Sequence, residues 1–176
     1  MNNHVKSDDV TTFFSFIDQK IQQLDNEITN GHDPSILLLS LLDTLSLFAY
    51  PNEYDNKKRF IKLIDNYSDW QDKNRISLIQ LQHLLKRIKI SSLKYDELCK
   101  KVNSRIDQWE NGRVYRAADV DPLITELNKY RDGQTDCLID VTRYPVLLWL
   151  LRNWLVHSFI KPGFGMDVSS DKTTPY

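Results

Sequence analysis

Apolar residues recur every three or four positions along most of the chain, a spacing that places them on one face of an α-helix. The first such stripe covers positions 10–28. Asp33-Pro34 then predicts the start of a second helix over about 34–49, since proline is favoured in the first helical turn. This second helix is apolar on nearly all sides, which is typical of a helix with neighbours on several faces.

Further stripes predict helices over about 55–68, 76–89 and 92–110, a short helix opened by Asp121-Pro122, and a last helix beginning at 142–145 and ending near 160. The pattern contains no convincing strand and no internal repeat. The sequence therefore predicts an all-α protein, a single bundle of six or seven helices over 8–160. Residues 161–176 are predicted to form a polar, mobile tail.

The composition narrows the classes of partner. A length of 176 residues suits one domain, and 41% hydrophobic with 27% charged residues is ordinary for a globular protein. The net charge of −1 provides no global basic field, so any RNA contact must come from a local patch. Two groups of cations are interpreted mainly as solvated helix faces, with a role in holding an RNA backbone left open for either. They are the run Lys57, Lys58, Arg59 and Lys62, and the group Lys86, Arg87, Lys89, Lys94, Lys100, Lys101 and Arg105.

Two cysteines, Cys99 and Cys137, make neither a disulfide framework nor a zinc site. No cluster of acidic residues with metal-ligand spacing is present, so neither a metal nor a cofactor is expected. The polar start of the chain lacks the apolar core of a signal peptide, and no run of 18 apolar residues occurs. These features favour a cytoplasmic protein without a membrane partner.

The last predicted helix is apolar on every face except at Arg152, Asn153 and His157. Burying an unpaired arginine is costly, so these residues either satisfy one another inside the protein or line a wet cleft. Asn153 and His157 are four positions apart and so share a helical face, and the long Arg152 side chain can reach them. An arginine fork matches a phosphate, and a histidine can pass a proton near neutral pH. The trio therefore suits phosphodiester chemistry.

A purely structural interpretation stays open for the same residues, as an internal polar network that fixes helix packing. Asn153 in particular can act only by holding its neighbours. Asp43 stands alone in the apolar second helix, where it can pair with Arg152 or with a lysine, or support the site.

The segment Arg152-Asn153-x-x-x-His157, on the last long helix, resembles the signature of HEPN domains, the higher eukaryote and prokaryote nucleotide-binding family. The resemblance implies a metal-independent endoribonuclease acting on single-stranded RNA, of the kind found in toxin, phage-defence and RNA-processing systems. It also implies a homodimer whose two motifs form one composite cleft. The roles it implies are phosphate stabilisation by Arg152, proton transfer by His157 and positioning by Asn153, with a 2′,3′-cyclic phosphate and a 5′-hydroxyl as products.

The chain departs from one branch of that family. HEPN toxins paired with nucleotidyltransferase antitoxins commonly carry a tyrosine two positions after the histidine, where a nucleotide is attached. Phe159 stands there in this chain and has no hydroxyl, which argues against control by that route. An antitoxin or defence-system partner stays open. So do two other functions: a noncatalytic HEPN-like module that binds RNA, nucleotide or protein, and a structural helical protein whose polar residues lock a dimer.

Overall fold

A computed structural model of the chain describes residues 7–29, 34–110 and 112–158. These ranges are predominantly helical and contain no strand, only two isolated antiparallel bridges. The prediction of an all-α protein is therefore confirmed. The predicted tail, 161–176, lies outside the described residues. None of the helices in the described ranges has the length and apolar character needed to cross a membrane.

The described ranges contain nine α-helices and one 3₁₀ turn: α1 Ser7–Thr29, α2 Ser35–Ala49, α3 Asn56–Tyr67, α4 Leu78–Arg87, α5 Leu93–Ile106, α6 Ala117–Val120, α7 Ile124–Leu127, the 3₁₀ turn Asn128–Tyr130, α8 Asp136–Val141 and α9 Tyr144–Ser158. Seven of these helices lie where the apolar pattern predicts them. The two that it misses, α6 and α8, have four and six residues. Helices of one or two turns are too short for a 3.6-residue period to be recognised.

Local side-chain bonds explain where the central helices begin. The Ser77 hydroxyl accepts a hydrogen bond from the Gln80 amide at the start of α4, at 3.4 Å. Ser92 does the same for Tyr95 at the start of α5, at 3.1 Å. Each serine satisfies an amide that has no partner within the helix. At the other end of α4, Lys86 and Arg87 lie in the last turn, where positive charge is favourable.

The chain divides into two compact units, Met1–Arg59 and Phe60–Tyr176, and the division falls within α3. In the first unit, α1 packs on α2 through a small cluster centred on Ile17, Leu24 and Leu41. The apolar face predicted for α1 is thus buried at two of its positions. It is narrower than predicted, because Ile21 is 46% exposed. The single bundle over 8–160 stays a prediction.

The core of the second unit is contributed mainly by α4, α5 and α8. Burial of a large apolar side chain stabilises a fold by about 1.5–3 kcal/mol, so this cluster is the main source of stability in the unit. Its buried members are Ile76, Leu78, Leu81, Leu85, Tyr95, Leu98, Val102, Leu127, Tyr130, Leu138 and Ile139.

A short extended segment between α3 and α4 joins this core to α9. The Ile76 amide donates to the Pro122 carbonyl at 2.9 Å, and the Ser77 amide donates to the Thr142 carbonyl at 3.0 Å. One strand-like segment therefore pairs with the residues that precede α7 on one side and α9 on the other. These backbone bonds fix where α9 begins.

Candidate functional site

The start of α9 is held by side chains from distant parts of the second unit. Arg143 donates two hydrogen bonds to the carboxylate of Asp65, at 3.1 and 2.9 Å. Tyr144 donates to Asp121 at 2.5 Å, and its ring stacks on Trp70 with the ring centroids 5.7 Å apart. Bidentate and charge-assisted bonds of this kind are directional. The direction in which α9 leaves its first turn is therefore well defined.

Arg152 lies in the middle of α9 and is half-buried. Its Nη1 donates a hydrogen bond to Oδ1 of Asn153 at 3.0 Å. Its Cζ lies 5.1 Å from the centroid of the Trp149 ring, within the range of a cation–π interaction. Trp149 is only 8% exposed and packs against the buried Phe60, with ring centroids 5.4 Å apart. A ring fixed in the core thus fixes the guanidinium.

Of the three predicted site residues, the structure brings two together. Asn153 is half-buried and contacts Arg152 through its amide oxygen. The side chain of His157 lies outside the described residues. Because α9 is helical through position 158, position 157 follows Asn153 by one helical turn, as the sequence predicts. The proton-transfer role of His157 stays a prediction.

The sequence also singled out Asp43 and Phe159, of which the structure describes only Asp43. Asp43 is half-buried on α2, in the first unit. Its pairing with Arg152 or with a lysine, or a role in supporting the site, stays a prediction. Phe159 lies outside the described residues. Among the residues that are described, no group of three or more His, Cys, Asp or Glu side chains is arranged to hold a metal ion.

The arrangement around Arg152 suits recognition of an oxyanion. A guanidinium presents several N–H donors in one plane, and a neighbouring aromatic face and amide oxygen restrict its rotation. Partial burial lowers the local dielectric constant and so strengthens the attraction between this cation and a phosphate. A restrained, half-buried arginine is therefore able to bind a phosphate with little loss of side-chain entropy.

The sequence gives no sign of a second polar cluster, around Asp121. This side chain is 8% exposed, and Oδ1 accepts a hydrogen bond from the Leu78 amide at 2.8 Å. Burial raises the pKa of Asp121, and the bonds from Leu78 and Tyr144 oppose that rise. Burial also raises the pKa of Tyr144, with a further contribution from its bond to Asp121. Arg75 donates to the Asp121 carbonyl at 2.7 Å and to the Asp72 carboxylate at 2.6 Å.

This cluster links the starts of two helices. Each partner of the Asp121 carboxylate belongs to the start of a helix, α4 or α9. The sequence suggests a different role, with Asp121-Pro122 opening a short helix. The carboxylate instead caps α4 from 43 positions away, which no local pattern indicates.

Comparison with known proteins adds no relative: no family model, no curated protein and no solved structure matches the chain. The HEPN resemblance therefore rests on the motif and on the helical class of the fold.

Proposed function

We propose that the chain is a metal-independent endoribonuclease of HEPN type that cleaves single-stranded RNA. Arg152, Asn153 and His157 are its proposed catalytic residues. The observation that carries the proposal is the restrained guanidinium of Arg152, which lies over Trp149 and is bonded to Asn153. Asn153 lies one helical turn before position 157, where the sequence has the histidine. An arginine placed in this way is well suited to a phosphate whose charge increases during reaction.

The proposed reaction is an internal transesterification. The 2′-oxygen of a ribose attacks the adjacent phosphorus, and its proton passes to a base. The bond from phosphorus to the 5′-oxygen breaks, and that oxygen takes up a proton as it leaves. The products are a 2′,3′-cyclic phosphate and a 5′-hydroxyl. His157 moves one of these protons, Arg152 stabilises the charge on the nonbridging oxygens, and Asn153 orients Arg152.

The same proposal includes a homodimer, because the motif of one chain contributes one imidazole and the reaction uses both a base and an acid. A second copy of α9 brought against the first supplies the second imidazole to a composite cleft. Trp154, on α9, is 47% exposed, while several leucines of the same helix are only half-buried. Apolar surface left on this helix favours a contact there. A cytoplasmic toxin or phage-defence role is the setting that the HEPN resemblance implies.

Cleavage of end-labelled single-stranded RNA in the presence of EDTA tests the proposal. His157→Ala is expected to lower the rate about 10²- to 10⁴-fold, since one acid–base group typically contributes that much. Arg152→Ala is expected to lose about 10²- to 10³-fold, as with other donors to a developing oxyanion. His83→Ala and Arg116→Ala are matched controls, because both side chains are exposed and lie on other helices or loops. Both controls should cleave like the wild type.

Two other outcomes lead to other functions. If the wild type is inert on varied RNAs, and both substitutions mainly lower the melting temperature, then the polar residues of α9 serve packing and the chain is structural. If RNA is bound but never cleaved, and Arg152→Ala weakens the binding, then the chain is a noncatalytic RNA-binding module.

A further inference from the structure

A shallow basic groove lies on the second unit, beside α5 and the 3₁₀ turn 128–130. Its volume is about 550 Å³. Four lysines and one carboxylate line it together with Ser104 and Tyr130: Lys94, Lys100, Lys101, Lys129 and Glu97. The net charge of the whole chain is −1, so this positive region is a local arrangement and does not reflect the composition.

Internal pairing neutralises only part of this charge. Glu97 lies 3.6 Å from Lys94, and both side chains are 43% exposed, so this pair is solvated and weak. In the 3₁₀ turn, the Lys129 ammonium lies 4.9 Å from the centroid of the Tyr130 ring. Tyr130 is 9% exposed, so the ring provides a fixed platform for that lysine. Four ammonium groups around one concavity repel one another, and an anion bound between them relieves that repulsion.

The spacing along α5 suits a chain of anions better than a single one. Lys94 and Lys101 are seven residues apart, which is about 10 Å along a helix at about 1.5 Å per residue. A strand of a B-form duplex carries one phosphate per about 3.4 Å of helix axis, and the phosphates of an extended single strand lie farther apart, so this part of the groove can contact about two phosphates. Lys129 faces the same concavity from a different element. The groove therefore presents cations from two elements of the fold.

We propose that this groove binds the sugar–phosphate backbone of a single-stranded nucleic acid. Lysines act as point charges without the planar fork of arginine, so the contacts hold phosphates and do not select bases. The choice of a nucleic acid, and not another polyanion, as the ligand rests on the proposed function. The presence of the basic groove does not depend on that function. Its role is to hold the strand, separately from the chemistry at Arg152.

Binding of a labelled, single-stranded 2′-deoxy oligonucleotide, measured by fluorescence anisotropy at several salt concentrations, tests this inference. The variant Lys100→Gln/Lys129→Gln removes one exposed lysine from each of the two elements that line the groove. Since each phosphate contact on a single strand contributes about 0.7 to the slope of log affinity against log salt, the double variant should lower that slope by about 1.4. With the affinity at 1 M salt unchanged, this corresponds to about 25-fold weaker binding at about 0.1 M.

The matched control is Lys62→Gln/Arg116→Gln, which removes the same charge from exposed positions outside the groove. It should bind with the wild-type slope. Equal binding by the wild type and the groove variant overturns the inference, as does the absence of oligonucleotide binding by the wild type at low salt. Binding to vesicles containing phosphatidylserine, but not to the oligonucleotide, overturns it as well. The probe lacks the attacking 2′-hydroxyl, so it reports binding without cleavage. If the protein binds this probe but cleaves no RNA, the proposed function is wrong and the inference about the groove still holds.

Discussion

The Tyr144 hydroxyl donates a hydrogen bond to Oδ2 of Asp121 at 2.5 Å, while Oδ1 of the same carboxylate accepts from the Leu78 amide at 2.8 Å. One buried carboxylate thus links the first turn of α4 to the first turn of α9. The candidate site at Arg152 is about two turns further along α9. Its position therefore depends on a bond that lies outside the site.

Removing the Asp121 carboxylate should destabilise the fold more than neutralising it. Asp121→Ala loses a helix cap, at about 0.5–2 kcal/mol, and leaves the Tyr144 hydroxyl unsatisfied, at about 1–3 kcal/mol. Asp121→Asn retains an acceptor oxygen for Leu78 and removes a buried charge, so its loss should be under about 1 kcal/mol. Urea denaturation of both variants measures the difference. Equal losses would show that the carboxylate does not act as a cap.

The pair between Arg143 and Asp65 should depend on its two-pronged geometry. Its bonds measure 3.1 and 2.9 Å, and the side chains are 18% and 31% exposed. Arg143→Lys keeps the charge but loses one of the two parallel bonds, so it should cost about 1 kcal/mol. Arg143→Ala should cost about 2 kcal/mol. If the lysine variant is as stable as the wild type, charge alone accounts for the contact.

Stability should fall in acid through Asp132. Its carboxylate accepts hydrogen bonds from the Thr135 amide at 2.7 Å and from the Ser92 hydroxyl at 2.8 Å, and these lower its pKa from 3.8 to about 2. A carboxyl whose folded pKa is depressed contributes stability above its ordinary pKa and loses that contribution as the pH falls through the folded value. The difference in melting temperature between wild type and Asp132→Asn should therefore be constant near neutrality and shrink between about pH 4 and pH 2. A difference that persists unchanged down to pH 2 would contradict this assignment.

Arg152→Lys separates charge from geometry at the candidate site. The substitution keeps a cation but loses the planar group that lies over Trp149 and donates to Asn153. RNA cleavage should fall about 10²-fold or more, while thermal melting changes little. Arg116→Lys, at an exposed position, is the control and should cleave normally. Full activity of Arg152→Lys would mean that the proposed phosphate contact needs only charge.

Association through α9 should depend on Trp154, which is 47% exposed. Light scattering at micromolar concentration is expected to give about twice the monomer mass of 20.7 kDa. Trp154→Glu places a charge in the proposed contact and should yield monomers with an unchanged circular dichroism spectrum. A wild type that stays monomeric at every accessible concentration would rule out the dimer and, with it, the composite cleft.

The sequence by itself determined the helical class, the seven helices whose apolar stripes are visible, and the adjacency of Arg152 and Asn153. These features are local, since a helix repeats every 3.6 residues and consecutive positions stay close whatever surrounds them. Turn chemistry is local in the same way: Gly112 has a φ of +78°, which glycine adopts without strain.

Only the tertiary structure decided which polar groups meet across the chain. Asp121 caps α4 from 43 positions away, and Lys129 lines the same groove as the lysines of α5. The exposure of Ile21, on the same apolar stripe as the buried Ile17 and Leu24, was decided in the same way, by what packs against α1. Partners of this kind depend on how the helices pack. Packing depends on the complementary surfaces of many residues at once, and the periodicity of a single segment does not encode those surfaces.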